Sequence, residues 1–262
     1  MSSNARRLEL ASRFTRTAVS CASLFTVGVF RSSGREQIGR LARLFGHTSL
    51  PAPELPMIRL EDVADDRSAV VLRDARHATG NVDLLELLVL ARLVRARRPR
   101  RLLEIGTFDG RSTLNLAVNA PDDAVVYTLD LPDGGEETAK HRLDDAELRY
   151  VRKPRSGARV HDSDVAHKVV QLYGDSATFD FTQLAAPGID FVFVDGSHAY
   201  DYARSDSLTA LSLLRNGHGT IVWHDYNGWR GVSDALHELR RDDERFESLR
   251  WVEGTSLAML EL

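Results

Sequence analysis

Leu102-Leu-Glu-Ile-Gly-Thr-Phe-Asp-Gly-Arg-Ser-Thr113 is the segment whose reading decides the fold. Leu102, Leu103 and Ile105 form a short apolar run after a basic segment. Such a run reads as a buried strand, although periodicity alone does not separate it from a helix. Gly106 and Gly110 punctuate a tight turn. Ser112 and Thr113 then open an apolar-periodic segment, Leu114, Ala117, Val118, that reads as a helix. Strand, glycine turn and helix make the nucleotide-site geometry of a doubly wound sheet, in which glycines let backbone approach a ligand and a helix N-terminus offers free N–H groups. An ordinary strand–turn–helix of any α/β protein is the competing reading.

The spacing narrows the ligand. A dinucleotide fingerprint asks for Gly-x-Gly-x-x-Gly, and Phe108 stands where its second glycine belongs. Glu104 lies on the strand, two residues before the first glycine, where a carboxylate can face a cationic ligand group. S-adenosylmethionine (SAM) carries an ammonium and a sulfonium. Glu104-Ile-Gly-Thr-Phe-Asp-Gly110 resembles motif I of the class I SAM-dependent methyltransferases. The form Gly-x-Phe-x-Gly-x-Ser is most similar to that of the catechol-type O-methyltransferases. The resemblance implies cofactor contacts from Glu104, Gly106, Phe108, Gly110 and Ser112.

The chain has 262 residues, enough for one sizeable domain with a helical appendage. Its net charge of -4 implies no global pull toward nucleic acid. The single cysteine, Cys21, excludes an internal disulfide framework and fits a reducing, cytoplasmic setting. No apolar run reaches membrane-spanning length. Arg6, Arg7, Arg13 and Arg16 precede a mildly apolar segment from Ala18 to Phe30, the outline of a signal peptide. Ser20, Cys21, Ser23, Thr26 and Gly28 dilute that core, and Arg31-Ser-Ser-Gly34 is a poor cleavage site. The expectation is therefore a helical appendage over residues 1–56, including a linker, packing on the domain or on a partner subunit as a homo-oligomer contact.

Residues 1 to about 46 read as one or two amphipathic helices broken near Ser32-Ser-Gly34. Pro51, Pro53 and Pro56 make a linker. Ile58 to Arg76 gives no clear pattern. Asn81 is the candidate N-cap of a helix with Leu84, Leu85, Leu88, Ala91 and Leu93 on its buried stripe. The arginines from Arg95 to Arg101 read as favourable charge at that helix's C-terminus, with an anion patch as the alternative. Beyond the opening unit, Ala124 to Leu129 reads as a strand ending in Asp130. An acid there, some 20 residues past the glycines, accepts hydrogen bonds from ribose hydroxyls; a turn aspartate before Pro132 is the plainer reading.

Gly135 to Leu148 reads as a helix, and the basic segment 149–167 as a mobile flap or a solvated insertion. Val169 to Tyr173 is a strand followed by Gly174-Asp175-Ser176. By resemblance, Asp175 and Ser176 contact adenine; a plain turn competes. Ile189 to Val194, apolar on both faces as a central parallel strand should be, runs into Asp195-Gly-Ser-His198. A helix from Tyr200 to Leu214 follows, capped by Asn216-Gly217. Thr220 to Trp223 ends in His224-Asp225-Tyr226-Asn227. Val232 to Leu239 marks a last helix. Phe246 to Trp251 and Ser256 to Leu262 read as an antiparallel pair closing the edge of a mostly parallel, seven-stranded, Rossmann-like sheet spanning residues 57–262.

Ligands of open α/β sheets sit beyond the carboxyl ends of the strands, where Asp130, Asp175, Asp195 and Asp225 gather with His198 and His224. Acids and imidazoles converging there suggest a divalent metal that binds and acidifies a substrate hydroxyl. A helix-capping Asp195 and solvated histidines are the bland alternatives. Phe191-Val-Phe-Val-Asp-Gly-Ser-His-Ala-Tyr200 with His224-Asp225-Tyr226 resembles bacterial metal-dependent SAM O-methyltransferases, among them the macrolide sugar and rhamnosyl/cephalosporin hydroxylase groups. That resemblance covers about Asn81 to Leu262. It implies that Asp195, which also borders the cofactor, and Asp225 are metal ligands and that His198 is the general base. The third ligand stays open between His224 and Asn227, because these groups carry Glu-Asp or Asp-Asn where this chain has His224-Asp225. The expectation is a Rossmann-like α/β enzyme transferring methyl from SAM to a hydroxyl of a small molecule, a sugar or natural-product intermediate, with Mg²⁺ or Mn²⁺. An NAD(P)-dependent oxidoreductase and a non-catalytic SAM-fold binding protein are the alternatives.

Overall fold

The computed structural model describes residues 3–31, 34, 38, 53–64, 69–76, 80–143, 147–153 and 155–262. Two compact units divide the chain, Met1–Pro51 and Ala52–Leu262. In the first, helix α1 runs Ser3–Thr26 and a 3₁₀ turn follows at Gly28–Phe30. Most of the second helix expected before residue 46, and its break at Ser32-Ser33, lie outside the described residues. The unit boundary falls before Glu54 because the linker's end is tied down. The amides of Glu54 and Leu55 donate to Tyr226 Oη at 3.0 Å each, and Leu55 is buried.

The second unit is a doubly wound sheet of eight strands: β1 Met57–Ile58, β2 Arg101–Ile105, β3 Val125–Asp130, β4 Val169–Tyr173, β5 Phe191–Val194, β6 Thr220–Trp223, β7 Arg250–Val252 and β8 Ala258–Glu261. Their order is β1-β7-β8-β6-β5-β2-β3-β4. β2 to β6 are parallel, and β8 runs antiparallel to β6 and β7. The sheet thus has an eighth strand beside the seven anticipated. β1 is only two residues long and lies where the sequence shows no alternation.

Period-two alternation on buried strands divides the core in two. Leu103, Ile105, Val192, Val194, Ile221 and Trp223 face one layer. Leu102, Phe191, Phe193 and Val222 face the other. Helices α2 Leu84–Arg97 and α3 Arg111–Asn119 cover the second face with Leu87, Leu90, Leu93, Leu114 and Ala117. Helices α4 Tyr200–Leu213 and α5 Arg230–Asp242 cover the first with Ala203, Ala210, Val232, Leu236 and Leu239. Three layers around a parallel sheet bury both faces, as βαβ crossovers require.

Four local expectations are corrected. The N-cap of α2 is Asp83, not Asn81. Asp83 and Glu86 form a capping box, whereas Asn81 Nδ2 donates to Asp109 Oδ2 at 3.1 Å. The helix expected over 135–148 is reduced to a 3₁₀ turn at Gly135–Glu137 and the start of a one-turn helix, Leu148–Val151. Tertiary bonding draws the described residues between them elsewhere: Lys140 N donates to Asp175 Oδ2 at 2.7 Å. Asn216-Gly217 does not cap α4, which ends at Leu213. With φ of 53° and 77° the pair forms a reverse turn between Arg215 and His218, residues bridged antiparallel. The strand expected from Phe246 begins only at Arg250, because Glu244–Phe246 winds into a 3₁₀ turn with Phe246 buried.

Candidate active site

Strand order reverses between the parallel neighbours β2 and β5: β3 and β4 follow on one side, β6 on the other. This is the switch point, where a crevice opens at the strand ends. A cleft lies there. It is lined by Gly106, Phe108, Asp130, Asp175, Ser176 and Asp195, with His198 at its margin. Leu131, Leu143, Glu147, Tyr150, Val151 and Tyr202 complete the wall.

The glycine turn is shaped by neighbouring backbone. Gly106 has φ +98°, and a Cβ on it would lie 2.0 Å from the carbonyl oxygen of Asp195. Gly110, at φ +86°, would place a Cβ 2.8 Å from Gly157 Cα. The two glycines therefore let the end of β2 meet the end of β5 and let the turn meet the segment at Gly157, a tighter demand than ligand approach. Phe108 stands at φ 48° and sets its ring edge-on to Tyr150, 5.3 Å between centroids.

Three expected cofactor residues are not on the cleft wall: Gly110, which meets Gly157, and Glu104 and Ser112. Glu104 is fully buried and accepts from the hydroxyls of Thr113 and Thr128, the latter at 2.6 Å. Burial pushes its carboxyl up to about 7. It ties β2 to β3 and α3 beneath the turn. Ser112 is buried in the first turn of α3 and is not on the cleft wall. Asp175 lines the cleft, but its oxygens also accept from Ala177 N at 3.0 Å and Lys140 N, so the plain turn role is present as well.

Asp130 ends β3 on the cleft wall and is buried. Lys153 Nζ sits 2.8 Å from Oδ2, with both side chains under a tenth exposed. Burial raises the Asp130 carboxyl and Lys153 opposes that rise. If Asp130 holds ribose hydroxyls, Asp130→Ala should weaken SAM binding by about 1–3 kcal/mol, the range for bonds to a charged acceptor. Calorimetry measures this, and an unchanged dissociation constant removes Asp130 from the cofactor site.

Beside the cleft, the ends of β5 and β6 carry a charged cluster. His224 Nδ1 lies 2.9 Å from Asp195 Oδ1 and 3.0 Å from Asp225 Oδ2. Its Nε2 lies 3.1 Å from Glu86 Oε2. His198 Nε2 is 2.7 Å from Asp225 Oδ2, and its Nδ1 is 2.8 Å from Glu147 Oε1. The His198 ring also stacks on Trp229, 4.3 Å between centroids with planes 3° apart. Burial raises Asp195, whereas His224 and His198 hold Asp225 well below the usual carboxylate range. Burial alone would lower both imidazoles, but Asp225 overrides it in each, with Asp195 adding for His224 and Glu147 for His198. His198 is pushed up to about 10. The neutral imidazole expected at position 198 is thus held as a cation at neutral pH, since carboxylates face both ring nitrogens.

Asp195, His224 and Asp225 each offer a ligand atom within 4.8 Å of one another, a fit for a divalent cation. The donors are two carboxylates and an imidazole, a mixture suited to borderline metals. Of the two candidates for a third ligand, His224 is in this group, whereas Asn227 borders neither the cleft nor the small pocket beside it. Asn227 N donates to Ser233 Oγ at 3.0 Å. Glu86, Glu147, Lys153 and Trp229 were not anticipated at the site. Only Glu86 left a sequence signal, three residues after Asp83, and that signal reads as a helix start.

Residues 103–226, which run from β2 through the end of β6, match the family model described as a methyltransferase domain. That stretch is a methyltransferase domain. The chain is 26% identical over 139 residues to the uncharacterized protein R132 of Acanthamoeba polyphaga mimivirus, covering 53% of this chain and 57% of that relative. It therefore spans little more than half the length of the curated relative it matches. Among solved structures it is similar to the O-methyltransferase TomG from Streptomyces achromogenes, with 21% identity, 86% of this chain and 97% of the other covered, and a TM-score of 0.46. It is also similar to a putative caffeoyl-CoA O-methyltransferase from Staphylococcus aureus, with 18% identity, 68% and 83% covered, and a TM-score of 0.48. Among the described residues, no helix is long and apolar enough to cross a membrane.

Proposed function

We propose that the protein is a metal-assisted SAM-dependent O-methyltransferase acting on a hydroxyl of a small molecule, a sugar or natural-product intermediate. The observation that carries this reading is the convergence of Asp195, His224 and Asp225 within 4.8 Å, with His198 against Asp225, beside the cleft at the switch point. The cleft takes SAM, with Asp130 toward the ribose and Asp175 and Ser176 toward adenine.

Methyl transfer is an in-line displacement at carbon: the C–S bond breaks as the C–O bond forms, giving S-adenosylhomocysteine and a methyl ether. A bound divalent cation supplies polarisation that lowers the pKa of the acceptor hydroxyl and orients it. Asp195, His224 and Asp225 would hold that cation. His198 stands beside Asp225 and, in its neutral form, would take the hydroxyl proton, Glu147 and Trp229 fixing the ring meanwhile. The rest is proximity, since the barrier falls when acceptor oxygen and methyl are held in line.

Methyl-labelled SAM with a set of catechol and sugar acceptors tests the reading. Label should move to an acceptor in the presence of Mg²⁺ or Mn²⁺. EDTA should stop transfer while leaving SAM binding by calorimetry largely intact, and Asp225→Ala should mimic the chelator. Full activity in EDTA would remove the metal from the proposal, and absence of SAM binding would remove the whole of it.

A further inference from the structure

Glu86 belongs to α2, away from the strand ends, yet it is buried and its two oxygens accept four hydrogen bonds. Oε2 accepts from Asp83 N at 2.8 Å and faces His224 Nε2 at 3.1 Å. Oε1 accepts from Ser256 N at 2.8 Å and from Ser256 Oγ at 2.6 Å. A capping residue needs only the first of these. The others pin its carboxylate between the α2 N-terminus, the end of β6 and the β7–β8 turn.

We infer that Glu86 is a positioning residue that orients the His224 ring by accepting from Nε2–H, turning Nδ1 toward Asp195 and Asp225 as a metal ligand. This rests on the metal reading given above. A carboxylate accepts only, so Glu86 holds the proton on Nε2. Nδ1 faces the two carboxylates at 2.9 and 3.0 Å, and a cation held by all three would displace its proton and take the lone pair. This is the carboxylate–histidine–metal arrangement, in which the outer carboxylate orients the ring and raises its basicity. Four hydrogen bonds leave the Glu86 carboxylate little freedom to turn, so the ring inherits its direction from the body of the domain.

Glu86→Gln offers an amide N–H toward Nε2, which favours the opposite tautomer with the proton on Nδ1. Mn²⁺ binding by the full chain, followed by electron paramagnetic resonance, should weaken by about 10–100-fold in Glu86→Gln, the usual cost of losing an outer-sphere partner. SAM affinity should stay near wild type, which also shows that the variant is folded. Ser256→Ala removes one bond to Oε1 and keeps the His224 contact, so its Mn²⁺ affinity should change far less. Equal Mn²⁺ affinity in Glu86→Gln and wild type, or equal losses in Glu86→Gln and Ser256→Ala, overturns the role of Glu86 while the metal reading stands. Absence of Mn²⁺ binding in wild type overturns both. Should Glu86→Gln not fold, long-range ¹H–¹⁵N correlation of the His224 ring in wild type with Mg²⁺ decides: a proton on Nε2 supports the inference, and one on Nδ1 ends it.

Discussion

His198→Ala is expected to lower kcat by about 10²–10⁴-fold, the range for loss of a general base. The ring is held from three sides, by Glu147, Asp225 and the face of Trp229, so its placement is fixed before any acceptor arrives. Removing it leaves the cofactor wall intact, because Gly106, Phe108 and Asp130 belong to other elements. SAM affinity should therefore change little. The same clamp sets the pH dependence. A histidine raised from 6.5 to about 10 by its partners adds stability that is fully present below 6.5 and lost as pH rises through about 10. An imidazolium takes no proton, so the wild-type rate should climb above pH 7 rather than level off near the value of free imidazole. A loss of kcat under about threefold, well below the general-base range, removes His198 as the base, and a profile flat above pH 7 shows that the clamp does not operate during turnover.

Gly106→Ala is expected to destabilise the fold and abolish SAM binding together. The added methyl would lie 2.0 Å from the Asp195 carbonyl oxygen, and the backbone there holds φ +98°. Strain in that region and a clash between two strand ends each cost about 1–3 kcal/mol. Neither is relieved by turning a side chain, because both contacts are backbone. Relief requires parting β2 from β5 at the switch point, which widens the crevice that the cofactor enters. Urea unfolding reads the stability and calorimetry the binding. A stability loss under about 1 kcal/mol, below either cost alone, with SAM affinity retained would show that the strand ends tolerate separation.

What was legible in the sequence follows from repetition along the chain. Phe191 to Val194 is apolar on both faces, and the structure buries it on both. The acids at the ends of β3, β5 and β6 then follow from fold geometry. Less legible was whatever depends on contacts distant in sequence. Glu104 looks like a ligand residue from its strand position, yet Thr128 and Thr113 claim it. Lys153 reaches Asp130 from a basic segment with no periodicity, and Trp229 meets His198 from the turn before α5. No local pattern marks such pairs. Glu86 belongs with them: the sequence suggests a helix start at Asn81, and the bonds of Glu86 to Ser256 and His224 span 170 and 138 residues.

The two residues of β1 carry a further consequence. They pair in parallel with β7, and Trp251 N and Glu253 N donate to Pro56 O and Ile58 O at 2.9 and 3.0 Å. A bare strand margin is a template on which other chains can add, and short covering strands are one way proteins guard against that. Met57 and Ile58 thus act as selvage on the woven edge of the sheet, covering the backbone groups of β7 that would otherwise face outward.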